Sequence, residues 1–271
     1  MSKGPEWKSA QAGGRVPGAN WIAFSTLVIK EVLRFSRIWV QTILPPAITT
    51  TLYFIIFGNL IGERIGEMDG YGYKEFIVPG LILMAVIANS YANTVSSFFQ
   101  AKYQRHIEEL IISPVPNWII LAGYVAGGVA RGLVVGLVVT GVSLFFADIR
   151  IEHPLLTLLV VVLTSILFAL GGLINAVFAR NFDDISVIPT FVLTPLTYLG
   201  GVFYSISLLP PFWQKVSLAN PVLYMINAFR YGILGVSDID PVVALLLILG
   251  FILALGSLAL WLLYRGVGIK S

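Results

Sequence analysis

Residues 76–100 read FIVPGLILMAVIANSYANTVSSFFQ, and this uncharged stretch decides the fold class. A helix needs about 20 consecutive, mostly apolar residues to cross the hydrocarbon of a bilayer, and the run is long enough. A strand of a membrane β-barrel would instead alternate apolar and polar residues over about 10 positions. The stretch therefore predicts a transmembrane helix.

The composition of the whole chain extends this prediction. Of the 271 residues, 57% are hydrophobic and 11% are charged, whereas soluble domains are about 45–50% apolar and about 25% charged. So little polar surface cannot cover a core in water, which predicts an integral membrane protein. The chain has no cysteine, which excludes disulfides, thiolate metal sites and cysteine nucleophiles. His106 and His153 are too few and too far apart to predict a metal site.

Apolar runs of similar length recur along the chain. They predict an all-α membrane fold in which a six-helix transmembrane domain occupies 39–271. Because lipid offers no hydrogen-bond partners, the backbone groups must be satisfied inside these helices. The spans are expected near 40–60, 76–100, 117–146, 154–179, 185–206 and 241–264.

The distribution of Lys and Arg sets the orientation of the spans. With the N-terminus inside, 11 of the 17 Lys and Arg residues lie on inner segments and 5 on outer ones, and Arg131 lies within a span. Cytoplasmic segments of membrane proteins carry such an excess. Both termini are therefore predicted to be cytoplasmic.

Two segments precede the first span. Residues 1–20 are polar and glycine-rich, which predicts a flexible cytoplasmic tail. In 21–38, Lys30, Arg34 and Arg37 share one face of a helix whose other positions are largely apolar. This pattern predicts an amphipathic helix in the inner membrane interface, with its basic face toward the lipid headgroups. The alternative is that this helix extends the first span inward.

A compact group of charges, AKYQRHIEEL at 101–110, follows the second span. Apolar residues recur there at helical spacing, and the polar residues fall largely on the other side. Pro114 and Pro116 end the pattern, because proline removes a backbone donor and restricts the preceding residue. A short cytoplasmic helix that offers its polar side to a partner is one interpretation, and a solvated turn is the other. The apolar stripe consists of Tyr103, Ile107, Leu110 and Ile111.

The segment after the fifth span is apolar but broken by prolines. Asn220 and Pro221 form a helix start signal, with Asn at the N-cap and Pro at the first helical position. Two short helices over 211–218 and 221–234 are expected to enter the outer leaflet without spanning it. They would form an outer gate or a lid that only packs the ends of the spans.

Two stretches, YKEFIVPGLILM at 73–84 and LLPPFWQKVSLANPVLYMINAFRYGILG at 208–235, resemble a known family. With the order of the spans, they resemble the ABC-2 family of ATP-binding-cassette transporter permeases, most closely the drug and polysaccharide exporters. The resemblance covers essentially the whole chain. The positions that match the family motif after span five are Pro211 (or Pro210), Asn220, Pro221, Tyr224 and Arg230.

The resemblance implies partners and a location. In that family the loop between spans two and three docks onto the ATPase, which implies a coupling helix over 102–112 with candidate contacts Tyr103, Gln104, Arg105, His106, Glu108 and Glu109. The chain contains no G-x-x-x-x-G-K-[ST] motif, so ATP and Mg²⁺ are expected on a separate subunit and no cofactor in this chain. Two ATPase copies, a second copy of this chain and membrane lipid are the expected partners, without nucleic acid. The alternative to the second copy is a different permease. The implied location is the bacterial inner membrane.

Polar residues inside the spans are further candidates. Arg131 is either a gating or substrate-facing cation or a structural arginine satisfied by neighbouring helices. The glycines of span three, from Gly123 to Gly136, indicate close helix packing within the protomer. A translocation path is one interpretation of the uncharged polar residues and ordinary interhelical hydrogen bonding is the other. The path candidates are Tyr53, Asn59, Asn89, Asn93, Thr194 and Tyr198.

The predicted function is that of a permease subunit, not an enzyme, which exports an amphipathic substrate such as a drug, a lipid, or a polysaccharide or glycolipid. An ion-coupled secondary transporter is the alternative. The spans contain no acidic residue and show no inverted repeat, which argues against it. A membrane enzyme would need a nucleophile–base pair or a metal cluster, and the sequence predicts neither.

Overall fold

The computed structural model describes residues 18–268, so the predicted tail over 1–20 lies mainly outside the described residues. Within that range the chain forms ten helices that contain α-helical turns, a one-turn 3₁₀ helix (Ile206–Leu208) and one short hairpin. The helices are α1 (Ala19–Arg37), α2 (Trp39–Ile65), α3 (Tyr73–Tyr103), α4 (His106–Ile112), α5 (Asn117–Ser143), α6 (Pro154–Phe178), α7 (Asp184–Ile188, Pro189–Leu193 and Thr194–Tyr198), α8 (Pro211–Leu218), α9 (Pro221–Leu234) and α10 (Pro241–Arg265). In the hairpin, β1 (Glu67–Met68) pairs antiparallel with β2 (Tyr71–Gly72).

Five helices in the described part of the chain are long and apolar enough to cross a membrane: α2, α3, α5, α6 and α10. They coincide with five of the six predicted spans. Their starts follow local signals, since Pro154 and Pro241 each open a helix. The carboxylate of Asp240 caps α10 by accepting a hydrogen bond from the backbone N–H of Val242 at 2.7 Å.

The predicted span over 185–206 is shorter in the structure. The helix α7 consists of three five-residue pieces, the middle one π-helical, and ends at Tyr198. Pro189 lacks the N–H that would bond the carbonyl of Ile185, and Asn175 of α6 donates its amide to that carbonyl at 3.3 Å instead. Proline thus interrupts the regular helix that the apolar pattern predicts.

The long helix α3 forms the centre of the bundle. It packs against α5 and α6. Of its most apolar 18-residue stretch, 67% is buried, the largest share among the five candidate spans. Glycines of α5 allow these close approaches. The sites of Gly123 and Gly127 face Leu27 and Glu31 of α1, and those of Gly128, Gly132 and Gly136 face side chains of α3. This confirms the prediction that the glycines support packing within the protomer.

The two short helices predicted from the prolines are confirmed as α8 and α9, with the predicted bounds. Asn220 caps α9, because its side-chain oxygen accepts a hydrogen bond from the Val222 N–H at 2.9 Å. The helix α9 packs against α3, α6 and α10. The helix expected over 21–38 is also present as α1, and its position in the membrane interface stays a prediction.

Candidate functional site

The predicted helix over 102–112 is divided in the structure. Lys102 and Tyr103 complete α3, and α4 begins only at His106. Between them Arg105 adopts a left-handed conformation with φ of 61°, which ends one helix and redirects the next. Lys102 donates from Nζ to the carbonyls of Val177 and Ala179 at 2.6 and 2.7 Å. The prediction of one continuous helix is therefore wrong at this turn.

The helix α4 has a buried anchor and a polar outer side. Ile107 is fully buried and Leu110 is half-buried, as predicted for the apolar stripe. Tyr103 is instead 65% exposed, and its ring lies 5.2 Å from that of Phe182. Gln104, Arg105, His106 and Glu109 are exposed, and Glu108 is half-buried.

A cavity of about 250 Å³ lies between α2, α3 and α7. Three of the predicted path residues line it: Tyr53, Thr194 and Tyr198. The hydroxyls of Tyr53 and Tyr198 are 2.7 Å apart, so a hydrogen bond joins α2 to α7. The ring of Phe203 lies 5.5 Å from Tyr53 and 6.0 Å from Tyr198. The remaining wall comes from α3 and α7 and is mainly apolar.

The other three path candidates do not line this cavity. Asn59 lies on α2 outside its lining. The amide of Asn89 donates to the carbonyl of Ala85 in its own helix at 3.0 Å. Asn93 is fully buried and accepts hydrogen bonds from Arg34. The contacts of Asn89 and Asn93 fit ordinary hydrogen bonding, which was the alternative interpretation, and a place on the path stays a prediction for all three residues.

A buried charge network joins α1 to α3, and the sequence analysis missed it. Glu31 is 1% exposed and accepts hydrogen bonds from Ser97 at 2.5 Å and from Arg34 at 3.4 Å. Arg34 also donates to the carbonyl and side-chain oxygens of Asn93 at 2.9 and 2.8 Å. The expectation that Arg34 faces lipid headgroups is therefore wrong. The available signal was a single acidic residue in α1, three positions before an arginine.

Arg131 lies on α5, within one of the predicted spans. Its side chain is half-buried, and its Nε has no hydrogen-bond partner among the described residues. It does not line the cavity between α2, α3 and α7. Neither predicted role is established by these contacts. In the described part of the chain, no group of three or more His, Asp or Glu residues could hold a metal ion.

The motif residues after span five hold several segments together. The amide of Asn220 donates to the carbonyl of Leu196 in α7 at 2.7 Å, and the Tyr224 hydroxyl donates to that of Leu218 in α8 at 2.8 Å. Pro211 and Pro221 begin α8 and α9. The motif is therefore structural at these positions, because each polar group is used to fix a helix end.

Arg230, the last motif residue, is the largest fully buried side chain in the described range. Its Nη2 donates to the carbonyl of Gly201 at 2.5 Å, and its Cζ lies 4.0 Å from the ring centroid of Phe76 in α3. The buried guanidinium thus ties α9 to the ring of Phe76 in α3 and to the loop at Gly201.

The comparisons with known proteins agree with the resemblance. A family model for ABC-2 type transporters matches residues 22–234. The inner membrane transport permease YadH of Escherichia coli (strain K12) is 59% identical over 251 residues, which cover 93% of this chain and 98% of the relative. Nodulation protein J of Rhizobium leguminosarum bv. viciae is 24% identical over 222 residues, covering 80% of this chain and 83% of the relative. That of Rhizobium meliloti (strain 1021) is 24% identical over 233 residues, covering 84% and 87%.

These matches confirm the family and the inner-membrane, multi-pass character that the sequence predicted, and they leave the substrate unidentified. ATP is bound by the partner ATPase in this family. The chain belongs to the ABC-2 type transporter family, as the membrane permease subunit of an ATP-binding-cassette transporter.

Proposed function

We propose that this permease exports an amphipathic substrate as a homodimer, driven by two copies of an ATPase subunit that dock onto α4. The observation that carries the proposal is the continuity of α3. Five of its residues, Met84, Ile87, Ala88, Tyr91 and Ala92, line the cavity, and the same helix runs to Tyr103 beside α4. A displacement of α4 by the ATPase would therefore act on the cavity wall through one rigid element.

The chemistry of the cavity supports an amphipathic substrate. Met84, Ile87 and Leu193 offer an apolar wall, and the hydroxyls of Tyr53 and Tyr198 lie on the same cavity. Pockets that bind small molecules are mostly apolar with a few placed polar groups. A drug, a lipid, or a polysaccharide or glycolipid with an apolar part would find both kinds of contact there.

The path of the chain supports six crossings and cytoplasmic termini. At the start of α6, the backbone N–H of His153 donates to the carbonyl of Gly232 at 2.8 Å, so this end of α6 lies beside α9. At its other end, Asn175 contacts Ile185 at the start of α7. The chain must then return along α7 to reach α8 and α9. We infer that α7 and the loop after it form a short fifth crossing, between those of α6 and α10.

Exposure on α7 supports a homodimer. Thr190, Thr194 and Tyr198 are exposed on this helix. The hydroxyl of Thr194 donates to the Pro189 carbonyl at 2.9 Å and that of Tyr198 pairs with Tyr53, so it is the exposure of these polar groups that favours a protein neighbour over lipid. Only 17% of the most apolar 18-residue stretch of α2 is buried, the same share as in α10, and of these two helices α2 is the one that lies beside α7 and the cavity. A second copy against these helices would cover the polar groups and enclose the cavity, in a two-fold arrangement of the usual kind.

A cysteine at position 194 tests the homodimer. We expect Thr194→Cys to form a dimer-sized product with a bifunctional maleimide in native membranes, because the two α7 helices face each other at the seam. The chain has no other cysteine, so the product reports this position alone. Leu253→Cys, on α10 and 70% exposed, is the control and should stay monomeric. Equal cross-linking at both positions would contradict this seam.

Purification from native membranes tests the coupling to an ATPase. We expect the tagged chain to recover a P-loop ATPase, and the reconstituted complex to move substrate only with hydrolysable ATP. The physical reason is that α4 presents exposed polar groups but the chain carries no phosphate-binding loop. Transport that persists without ATP, with no ATPase recovered, would instead favour the ion-coupled secondary transporter.

A further inference from the structure

A groove of about 710 Å³ lies where the ends of α3 and α6 meet α4. Three cationic side chains line it, together with three aromatic rings, one of them that of Phe178, and one carboxylate. We call it the cationic groove, and its defining residues are Phe99, Lys102, Tyr103, Arg105, Glu108 and Arg180.

Two of the three cationic side chains in this groove make no polar contact with the other described residues. Lys102 is committed to the carbonyls at the end of α6. Arg105 and Arg180 are exposed, and within residues 18–268 neither guanidinium forms an ion pair or a hydrogen bond. The nearby carboxylate of Asp184 accepts hydrogen bonds from the backbone N–H groups of Arg180 and Asn181 at 2.8 and 3.3 Å. With Glu108 as its one carboxylate, the groove carries an excess of positive charge.

The backbone at Arg105 is a second, independent observation. Its φ of 61° is one of two positive values among the described non-glycine residues. The left-handed conformation costs an ordinary L-residue roughly 1–2 kcal/mol, and glycine would adopt it without that cost. Strained residues of this kind cluster at functional sites. The left-handed turn itself ends α3, and a glycine would serve that purpose at lower cost, so the arginine side chain adds a cation at this position beyond what the turn requires.

The depth of the groove favours a protein partner over lipid. Arg34 of α1 bonds Asn93, and residues 93 to 103 of α3 extend about 15 Å further at 1.5 Å per residue. With α1 in the membrane interface, as the sequence predicts, the groove lies beyond the headgroups, at the level of α4. Guanidinium groups pair strongly with carboxylates, often through two parallel hydrogen bonds.

We propose that the cationic groove receives an acidic segment of the ATPase subunit, as a second contact beside the helix α4. This inference rests on the proposed docking of an ATPase onto α4. Arg105 and Arg180 bind the carboxylates of that segment, and Tyr103 and Phe99 cover its apolar part. The contact joins the ATPase to the ends of α3 and α6 at once, so both helices move with it.

The test is the affinity of the purified ATPase subunit for the full-length permease in nanodiscs. Arg105→Gly and Arg180→Gln should each weaken binding about tenfold or more, and the dependence on salt should become less steep as charge pairs are lost. Glycine at 105 keeps the backbone conformation, so a weaker interaction reports the lost guanidinium. Arg150→Gln, exposed at the opposite end of the bundle, is the matched control and should bind like the wild type.

The outcomes separate the inference from the proposed function. If the wild-type permease binds no ATPase, the proposed function fails and the inference fails with it. If the wild type binds but both groove variants bind equally well at every salt concentration, only the inference is overturned. Variants that keep ATPase binding but lose affinity for phosphatidylglycerol in the nanodisc would also overturn it, because the groove would then belong to lipid.

Discussion

The Glu31→Ala variant is expected to lose about 2–3 kcal/mol of unfolding free energy. The substitution leaves Arg34 without its carboxylate and the buried Ser97 hydroxyl without its acceptor. Breaking a fully buried ion pair costs roughly 3–5 kcal/mol, and the expectation is lower because the Arg34 side chain is 23% exposed. Denaturant unfolding in detergent, followed by the fluorescence of tryptophan, measures the change.

Two control variants identify the cause of this loss. Glu31→Gln keeps an oxygen that accepts from Ser97 and should therefore lose less than the alanine variant. Glu109→Ala removes an exposed carboxylate of α4 and should stay within about 0.5 kcal/mol of the wild type. A stability of Glu31→Ala equal to that of Glu109→Ala would show that the network does not hold α1 against α3.

Replacing Arg230 by alanine should cost about 3–5 kcal/mol, comparable to the loss of a large core side chain. The substitution leaves a cavity between α9 and α3, removes the hydrogen bond to Gly201 and ends the contact with the Phe76 ring. A desolvated cation on an aromatic face contributes about 2 kcal/mol or more. The same unfolding experiment measures the effect, with exposed Lys215→Ala of α8 as the control.

A methionine at position 230 separates packing from polar contacts. Nε and Nη1 of Arg230 are buried without hydrogen-bond partners in the described part of the chain, and such donors are costly. Arg230→Met fills most of the volume and removes these donors, so it should lose less stability than Arg230→Ala. Equal losses of stability in the two variants would mean that the lost contacts with Gly201 and Phe76 account for the whole loss. The cavity would then contribute nothing, contrary to the expectation.

The elements with strong local signals were predictable one by one. Prolines mark the starts of α6, α8, α9 and α10, because their missing N–H is an unbonded group at that position anyway. The side chain of Asn220 caps α9 as its sequence context predicts. Where apolar length and proline act on the same segment, neither signal alone predicts the helix. The apolar run of α7 predicts a full span, but its prolines interrupt it.

The candidate site was predictable only in part. Tyr53, Thr194 and Tyr198 share a cavity as expected, whereas Asn93 belongs to the Arg34 network. The sequence alone could not separate these two outcomes. Hydrogen bonding to a neighbouring helix and exposure to a path both use uncharged polar side chains within a span. The turn at Arg105 was also missed, because no local rule predicts a left-handed arginine.

The membrane class, the long spans, the short helices α8 and α9, and the family could all be predicted from local sequence. These depend on apolar length, on proline and asparagine at helix starts, and on the motif that ends at Arg230. The burial of Glu31, the bond between Asn93 and Arg34 and the groove shared by Arg105 and Arg180 emerge only when the helices pack. Hydropathy and caps act within a segment, whereas the partner of a charged or polar group depends on which helices meet.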